Sequence, residues 1–196
     1  MQQSTGVRRE RRDMVRNLER VLAAAGELFA ERGSSVTMEE VARRAGVGVG
    51  TVYRRFPSKE HLFAAISHDV CYDTRQSLQQ AAASCGDARM ALAALVRTLY
   101  RCCEQQPALL DPAPSQDDGT AAQQRELYAA VYEMLQHTIA EGQRAAIFAA
   151  GDPDVRAALC MELLTPQAFR HLSRLTGGSV EQVADHVTQF LLNGLE

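Results

Sequence analysis

Residues 36 to 63 read V-T-M-E-E-V-A-R-R-A-G-V-G-V-G-T-V-Y-R-R-F-P-S-K-E-H-L-F, and the fold turns on how the glycines at its centre are read. In a nucleotide-binding loop the glycines follow a buried strand and open onto a helix, so that backbone N–H groups meet phosphate. Here Thr37 stands three residues before Glu40, the spacing of a capping box, and Met38, Val41, Ala42 and Ala45 share one helical face. The glycines at 46, 48 and 50 give G-x-G-x-G rather than G-x-G-x-x-G, and no Walker lysine follows. They therefore join two helices. Gly46 permits a sharp turn, Val47 can plug the gap, and a short helix from about Val49 to Phe56 turns Val52 and Phe56 inward.

Two short helices joined by a tight glycine turn have helix-turn-helix geometry. Gly48 and Gly50 leave no side chain to hold the backbone away from DNA, while Thr51, Tyr53, Arg54 and Arg55 fall on or beside the exposed face. Arginine can pair bidentately with guanine in the major groove, and Tyr or Lys can hold phosphates. Charge agrees with this: residues 1–62 hold 12 Lys/Arg against 8 Asp/Glu, and the remainder hold 9 against 16. A basic front on an acidic body suits a polyanionic partner at the front.

Outward from this segment the chain reads as helix throughout. Before it, Leu18, Val21, Leu22, Ala25, Leu28 and Phe29 form one stripe that Gly33 ends. After it, Ser58 can cap a long helix reaching about Ser84, and Leu92 to Cys103 mark a fifth that stalls at Pro107. The run D-P-A-P-S-Q-D-D-G, 111–119, is a loop. Leu127 to Ile139 form a further stripe, and Asp152-Pro153 opens a helix that carries Val155, Leu159, Leu163, Phe169 and Leu172, kinked or divided at Pro166. Ser179 caps a last helix with Val183, Val187, Phe190 and Leu191 on one side. No segment alternates as a strand, so the fold class is all-α.

Several functions lack their residues. No run approaches the roughly 18 apolar residues of a membrane span. The arginines at 8, 9, 11 and 12 precede no apolar stretch of a signal peptide. Five cysteines at no disulfide or metal spacing suit a reducing, cytoplasmic setting. Adjacent Cys102 and Cys103 on a helix point about 100° apart and pair with difficulty. His68 and Cys71, at i and i+3, lack a third ligand, so no metal is expected. Without a nucleophile elbow, paired carboxylates or a zinc-hydrolase motif, neither an enzyme nor a cofactor is expected.

Residues 36–63 resemble the DNA-binding segment of TetR-type transcriptional regulators, and N-L-E-R-V-L-A-A-A-G-E-L-F-A-E-R-G, 17–33, is similar to the helix before it in that family. L-T-G-G-S-V-E-Q-V-A-D-H-V-T-Q-F-L-L-N-G-L, 175–195, resembles the family's last helix and the turn before it. The resemblance implies a basic arm (1–16), a three-helix DNA-binding domain (17–62) and a larger effector-binding and dimerisation domain (63–196). It implies that Thr37 touches a phosphate, that Val49, Gly50, Thr51 and Arg54 face bases, that Tyr53 and Lys59 grip the backbone, and that Arg55 serves either role. Gly48 stands where the family commonly has serine, so one cap or phosphate contact is missing. The arm, Arg8 to Arg16, would follow the DNA backbone or enter the minor groove.

In the larger domain the resemblance implies an effector pocket and a four-helix bundle in which Val183, Val187, Phe190 and Leu191 meet their twins. Tyr100, Cys103, Tyr128, Tyr132, His137 and Phe169 are the candidates to line the pocket, for an apolar or aromatic small molecule. The expected function is a homodimeric repressor of a near-palindromic operator, released when an effector tilts the fourth helix. The alternative is a helical small-molecule binding or scaffold protein whose DNA reader is vestigial.

Overall fold

The computed structural model describes residues 3–106, 110 and 120–196, and among these the side chains of 3–13, 34, 120 and 121 fall outside the description. The loop expected at 111–119 lies outside the described residues, as do the side chains of the arginines at 8, 9, 11 and 12, whose backbone is helical. The helices are α1 (Gln3–Arg32), α2 (Met38–Ala45), α3 (Val49–Arg55), α4 (Lys59–Ala83), α5 (Ala88–Gln105), α6 (Thr120–Arg144), α7 (Pro153–Leu163), α8 (Pro166–Thr176) and α9 (Val180–Leu195). Among the described residues there is no strand, so the chain is all-α. No helix of the described residues is long and apolar enough to cross a membrane.

Local chemistry sets the boundaries. Thr37, Ser58, Asp87, Asp152, Thr165 and Ser179 each accept a first-turn N–H at the head of α2, α4, α5, α7, α8 and α9. Gly46 and Gly177 take left-handed backbone (φ 64° and 61°) to end α2 and α8. Pro153 and Pro166 occupy the first helical position, where a missing N–H costs nothing. Pro166 thus divides the stretch after Asp152 into two helices.

Two hydrophobic cores result. The first gathers Val21, Leu28 and Phe29 of α1, Val41 of α2, Val52 of α3, and Leu62 and Ile66 of α4, with Phe63 edge-on to Phe29. The second gathers Cys71 and Leu78 of α4 with the buried faces of α5 to α9. Helix α4 belongs to both, and Val70 packs against each core. Helix α4 thus connects the α1–α3 unit to the helices of the second core.

Candidate nucleic-acid interface and effector cavity

The turn between α2 and α3 is built as its sequence requires. Gly46 N–H caps α2 on the carbonyls of Ala42 and Arg43, and Val47 N–H returns to Ala42 O (3.0 Å). Val47 packs half-buried against the first core. Gly48 is the N-cap of α3 and supplies no side-chain cap, and its carbonyl accepts from Thr51 N–H (2.8 Å). Val52 and Phe56 are buried, which leaves Val49, Gly50, Tyr53, Arg54 and Arg55 exposed and Thr51 half-buried beside them.

Ion pairing sorts the basic residues into two groups. Arg32 holds Glu40 (2.8 Å), and Arg44 holds Glu27 (2.9 Å) and Glu31 (3.7 Å), tying α1 to α2. Arg54 and Arg55 have no ion pair or hydrogen bond among the described residues. Arg32 and Arg44 are thus neutralised within the protein, whereas Arg54 and Arg55, like exposed Arg43 of α2, have no such partner among the described residues. Sequence reading did not separate the two groups, because pairing between α1 and α2 depends on where the helices cross.

Thr37 is more committed than expected. Its hydroxyl donates to Glu40 Oε2 (3.2 Å) and accepts from Glu40 N–H (3.3 Å), and its own N–H goes to the same carboxylate (3.0 Å). The hydrogen bonds from Arg32 and from the Thr37 N–H hold the Glu40 carboxyl down at about 2. A phosphate at Thr37 would draw the hydroxyl proton away from that carboxylate, while the cap bond from Glu40 N–H stays in place. Lys59, at the head of α4, is half-buried and already has a partner.

A cavity of about 690 Å³ opens among α5, α6, α7 and α8, within the range that takes a small organic ligand. Its apolar wall includes Leu99, Leu110, Leu127, Val131, Met161 and Leu164; Gln124, Arg125, Glu162, Gln167 and His171 supply polar groups. Of the six pocket candidates, Cys103 and Tyr128 line it. Tyr100 is fully buried, donates its hydroxyl to Leu163 O (2.6 Å), and packs on Phe169 with ring centroids 5.0 Å apart. These two rings are core, since their polar and apolar needs are met inside the protein. Tyr132 bonds Asp154 at the head of α7, and His137 lines a separate groove beside the α4–α5 turn. Sequence reading placed a break at Pro166 but did not connect it with the cavity that Thr165 and Pro166 line.

Burial corrects the dimer residues. Val183, Val187 and Leu191 belong to the second core of a single protomer, because α9 turns that face onto α5. Phe190 points out, 68% exposed. Val155 (55%) and Leu159 (65%) lie on the outer face of α7, and Leu175 of α8 is also exposed. No cluster of His, Cys, Asp or Glu able to hold a metal occurs among the described residues. Burial pushes the Cys71 and Cys160 thiols up to about 11.

Residues 21–66 match the family model described as bacterial regulatory proteins, tetR family. An HTH-type transcriptional regulator of Staphylococcus aureus, SAB2452, is 37% identical over 62 residues, covering 31% of this chain and 34% of that protein. The HTH-type transcriptional repressor KstR2 of Rhodococcus jostii is 37% identical over 81 residues, 41% of this chain and 40% of its own length. The matches thus span well under half of those curated relatives. Whole-chain likeness lies in the fold. A TetR/AcrR family regulator from Thermobifida fusca superposes with a TM-score of 0.76 at 23% identity, over 92% of this chain and 98% of that one. FadR from Bacillus subtilis, solved in complex with stearoyl-CoA, gives 0.73 at 16% identity, over 91% and 100%.

Proposed function

We propose, for a chain that belongs to the tetR family of bacterial regulatory proteins, the work of an effector-responsive repressor that binds a near-palindromic DNA site as a homodimer. The observation that supports the DNA role most directly is the unpaired charge on α3. Arg54 and Arg55 sit beside exposed Val49, Gly50 and Tyr53 on a helix held by two buried anchors, Val52 and Phe56. In this reading Val49, Gly50, Thr51 and Arg54 meet base edges, and Tyr53 and Lys59 steady the phosphates. The arm and residues 17–62 read DNA, and residues 63–196 hold the effector in the 690 Å³ cavity and the partner on the outer faces of α7 to α9.

The cavity supports responsiveness because its walls include α5 and α6, the helices against which α4 packs. An effector that changes how they pack shifts α4, and with it the distance between two recognition helices in a dimer. Half-sites sit about one helical turn, 34 Å, apart, so a small change in spacing costs both contacts at once. That FadR of B. subtilis, which shares this fold, was solved with stearoyl-CoA is consistent with a ligand-binding role.

Selection of duplexes from a random pool tests the reading, followed by affinity measurement against salt. A two-fold symmetric site is expected. Arg54→Ala should relax preference at one position per half-site at a cost of about 1–3 kcal/mol, whereas loss of a phosphate contact lowers the salt slope by about 0.9. Recovery of no common sequence would leave a DNA reader without function.

A further inference from the structure

A second, much smaller cavity of about 60 Å³ lies between α4 and α6, lined by His68, Cys71, Tyr72 and Arg75 on one side and Gln123, Glu126 and Leu127 on the other. Two side-chain atoms of these residues, Arg75 Nε and Gln123 Oε1, are shut off from solvent and have no hydrogen-bond partner among the described residues. One is a donor and the other an acceptor. A buried polar atom left unpaired is destabilising, so such a pair favours an occupant that can both donate and accept. Leu127 lines this chamber and the 690 Å³ cavity alike.

The chamber's chemistry restricts that occupant closely. At about 60 Å³, with exposed His68, Tyr72 and Glu126 along its rim, it has room for a small polar group and not for the body of a ligand. Arg75 disfavours an ammonium, and Glu126 opposite disfavours a carboxylate. A neutral hydroxyl accepts from Arg75 Nε and donates to Gln123 Oε1, satisfying both atoms with one group. We infer that the effector is an apolar molecule bearing an alcohol or phenol hydroxyl, its body in the large cavity and its hydroxyl reaching past Leu127 into this chamber. The inference rests on the effector role proposed for the large cavity and names its ligand class. It also places the polar end of the ligand directly on α4, four or five residues past Val70, where that helix leaves the first core. The guanidinium of Arg75, over the Tyr72 ring at 5.7 Å, is held by its own helix and can transmit the contact.

Three probes with one body separate the possibilities: 4-hexylphenol, hexylbenzene and 4-hexylbenzoate, titrated calorimetrically into the full chain. The phenol is expected to bind about tenfold tighter than either of the others, as befits one recovered donor–acceptor pair. Gln123→Leu combined with Arg75→Met removes both orphan atoms and should bring the phenol within twofold of hexylbenzene while leaving hexylbenzene itself unchanged. A circular dichroism melt checks that this variant folds, which is expected because both polar groups are removed together. Equal binding of all three probes, tightest binding of the benzoate, binding of none, or a phenol advantage that survives in the variant would each overturn the inference; the last would leave the chamber to ordered water. Affinity for the selected duplex is measured alongside. Phenol binding without release of DNA upholds the ligand class and sinks the proposed switch.

Discussion

At residue scale the two glycines of the turn have opposite reasons to be there. Gly46 is needed by the backbone: at φ 64° an L side chain is strained, and a Cβ there would come within 2.5 Å of the Arg20 guanidinium. Gly48 has φ −68° and ψ 140°, which any residue adopts, and its Cβ would meet nothing nearer than Thr51 Oγ1 at 4.0 Å. Serine therefore fits at the N-cap and can accept an N–H from the first turn of α3. Gly48→Ser should add a few tenths of a kcal/mol, raising Tm by about 1 °C in a thermal melt, with DNA affinity unchanged or tighter. A tenfold loss of affinity without loss of Tm would show that the DNA backbone packs against a bare Cα, and would refute the view of Gly48 as a vacant cap. Caps and turn glycines were legible in the sequence because they act within four residues of themselves. Arg44 and Arg54 look alike in sequence and differ only in what another helix brings to them.

At the scale of the element, α2 depends on one carboxylate. Glu40 receives Arg32 from the end of α1 and closes the capping box with Thr37, and its carboxyl lies near 2 against an ordinary 4.5. A depressed carboxyl contributes stability above its unfolded value and loses it as pH falls toward its folded one. The attachment of α2 to α1 should therefore be complete above about pH 4.5 and decay progressively toward pH 2. Acid melts of the wild type and Glu40→Gln give the measurement: the wild type should lose its advantage across that window, and the variant should show less dependence on pH there. Identical slopes would mean that the pair is too solvated to matter, as many exposed ion pairs are. Helix existence and order were read correctly from apolar spacing and caps. Which face of α7 turns inward is not legible there, because Val155 and Leu159 share a helical stripe that serves a neighbour in the chain or a second copy equally well.

At the scale of the whole molecule, Val155 and Leu159 of α7, Leu175 of α8 and Phe190 of α9 are exposed apolar side chains that the proposed homodimer would cover. Val155 and Leu159 sit at i and i+4, one turn apart on the same face, and the polar face of α9 that carries Phe190 also holds Gln189 and Asn193. An apolar patch rimmed by amides suits a two-fold contact, in which each residue meets a symmetry-related one. A stable dimer needs about 1,200–2,000 Å² of total buried surface, which isolated residues on one helix cannot provide and three consecutive helices can. Leu159→Glu would bury a carboxylate against its own twin, with a cost of several kcal/mol and a dimer Kd weakened about a hundredfold or more. In sedimentation at micromolar concentration the wild type should run as a dimer and Leu159→Glu as a folded monomer. Val187→Glu supplies the contrast, since Val187 lies in the protomer's own core and its substitution should lower Tm whatever the assembly state. Monomeric Leu159→Glu should also bind the selected duplex far more weakly and retain binding to a half-site, because the recognition helix is untouched and only its pairing is lost. A wild type that sediments as a monomer, or a Leu159→Glu chain that stays dimeric, would remove α7 from the interface and with it the link proposed between the cavity wall and the spacing of the recognition helices.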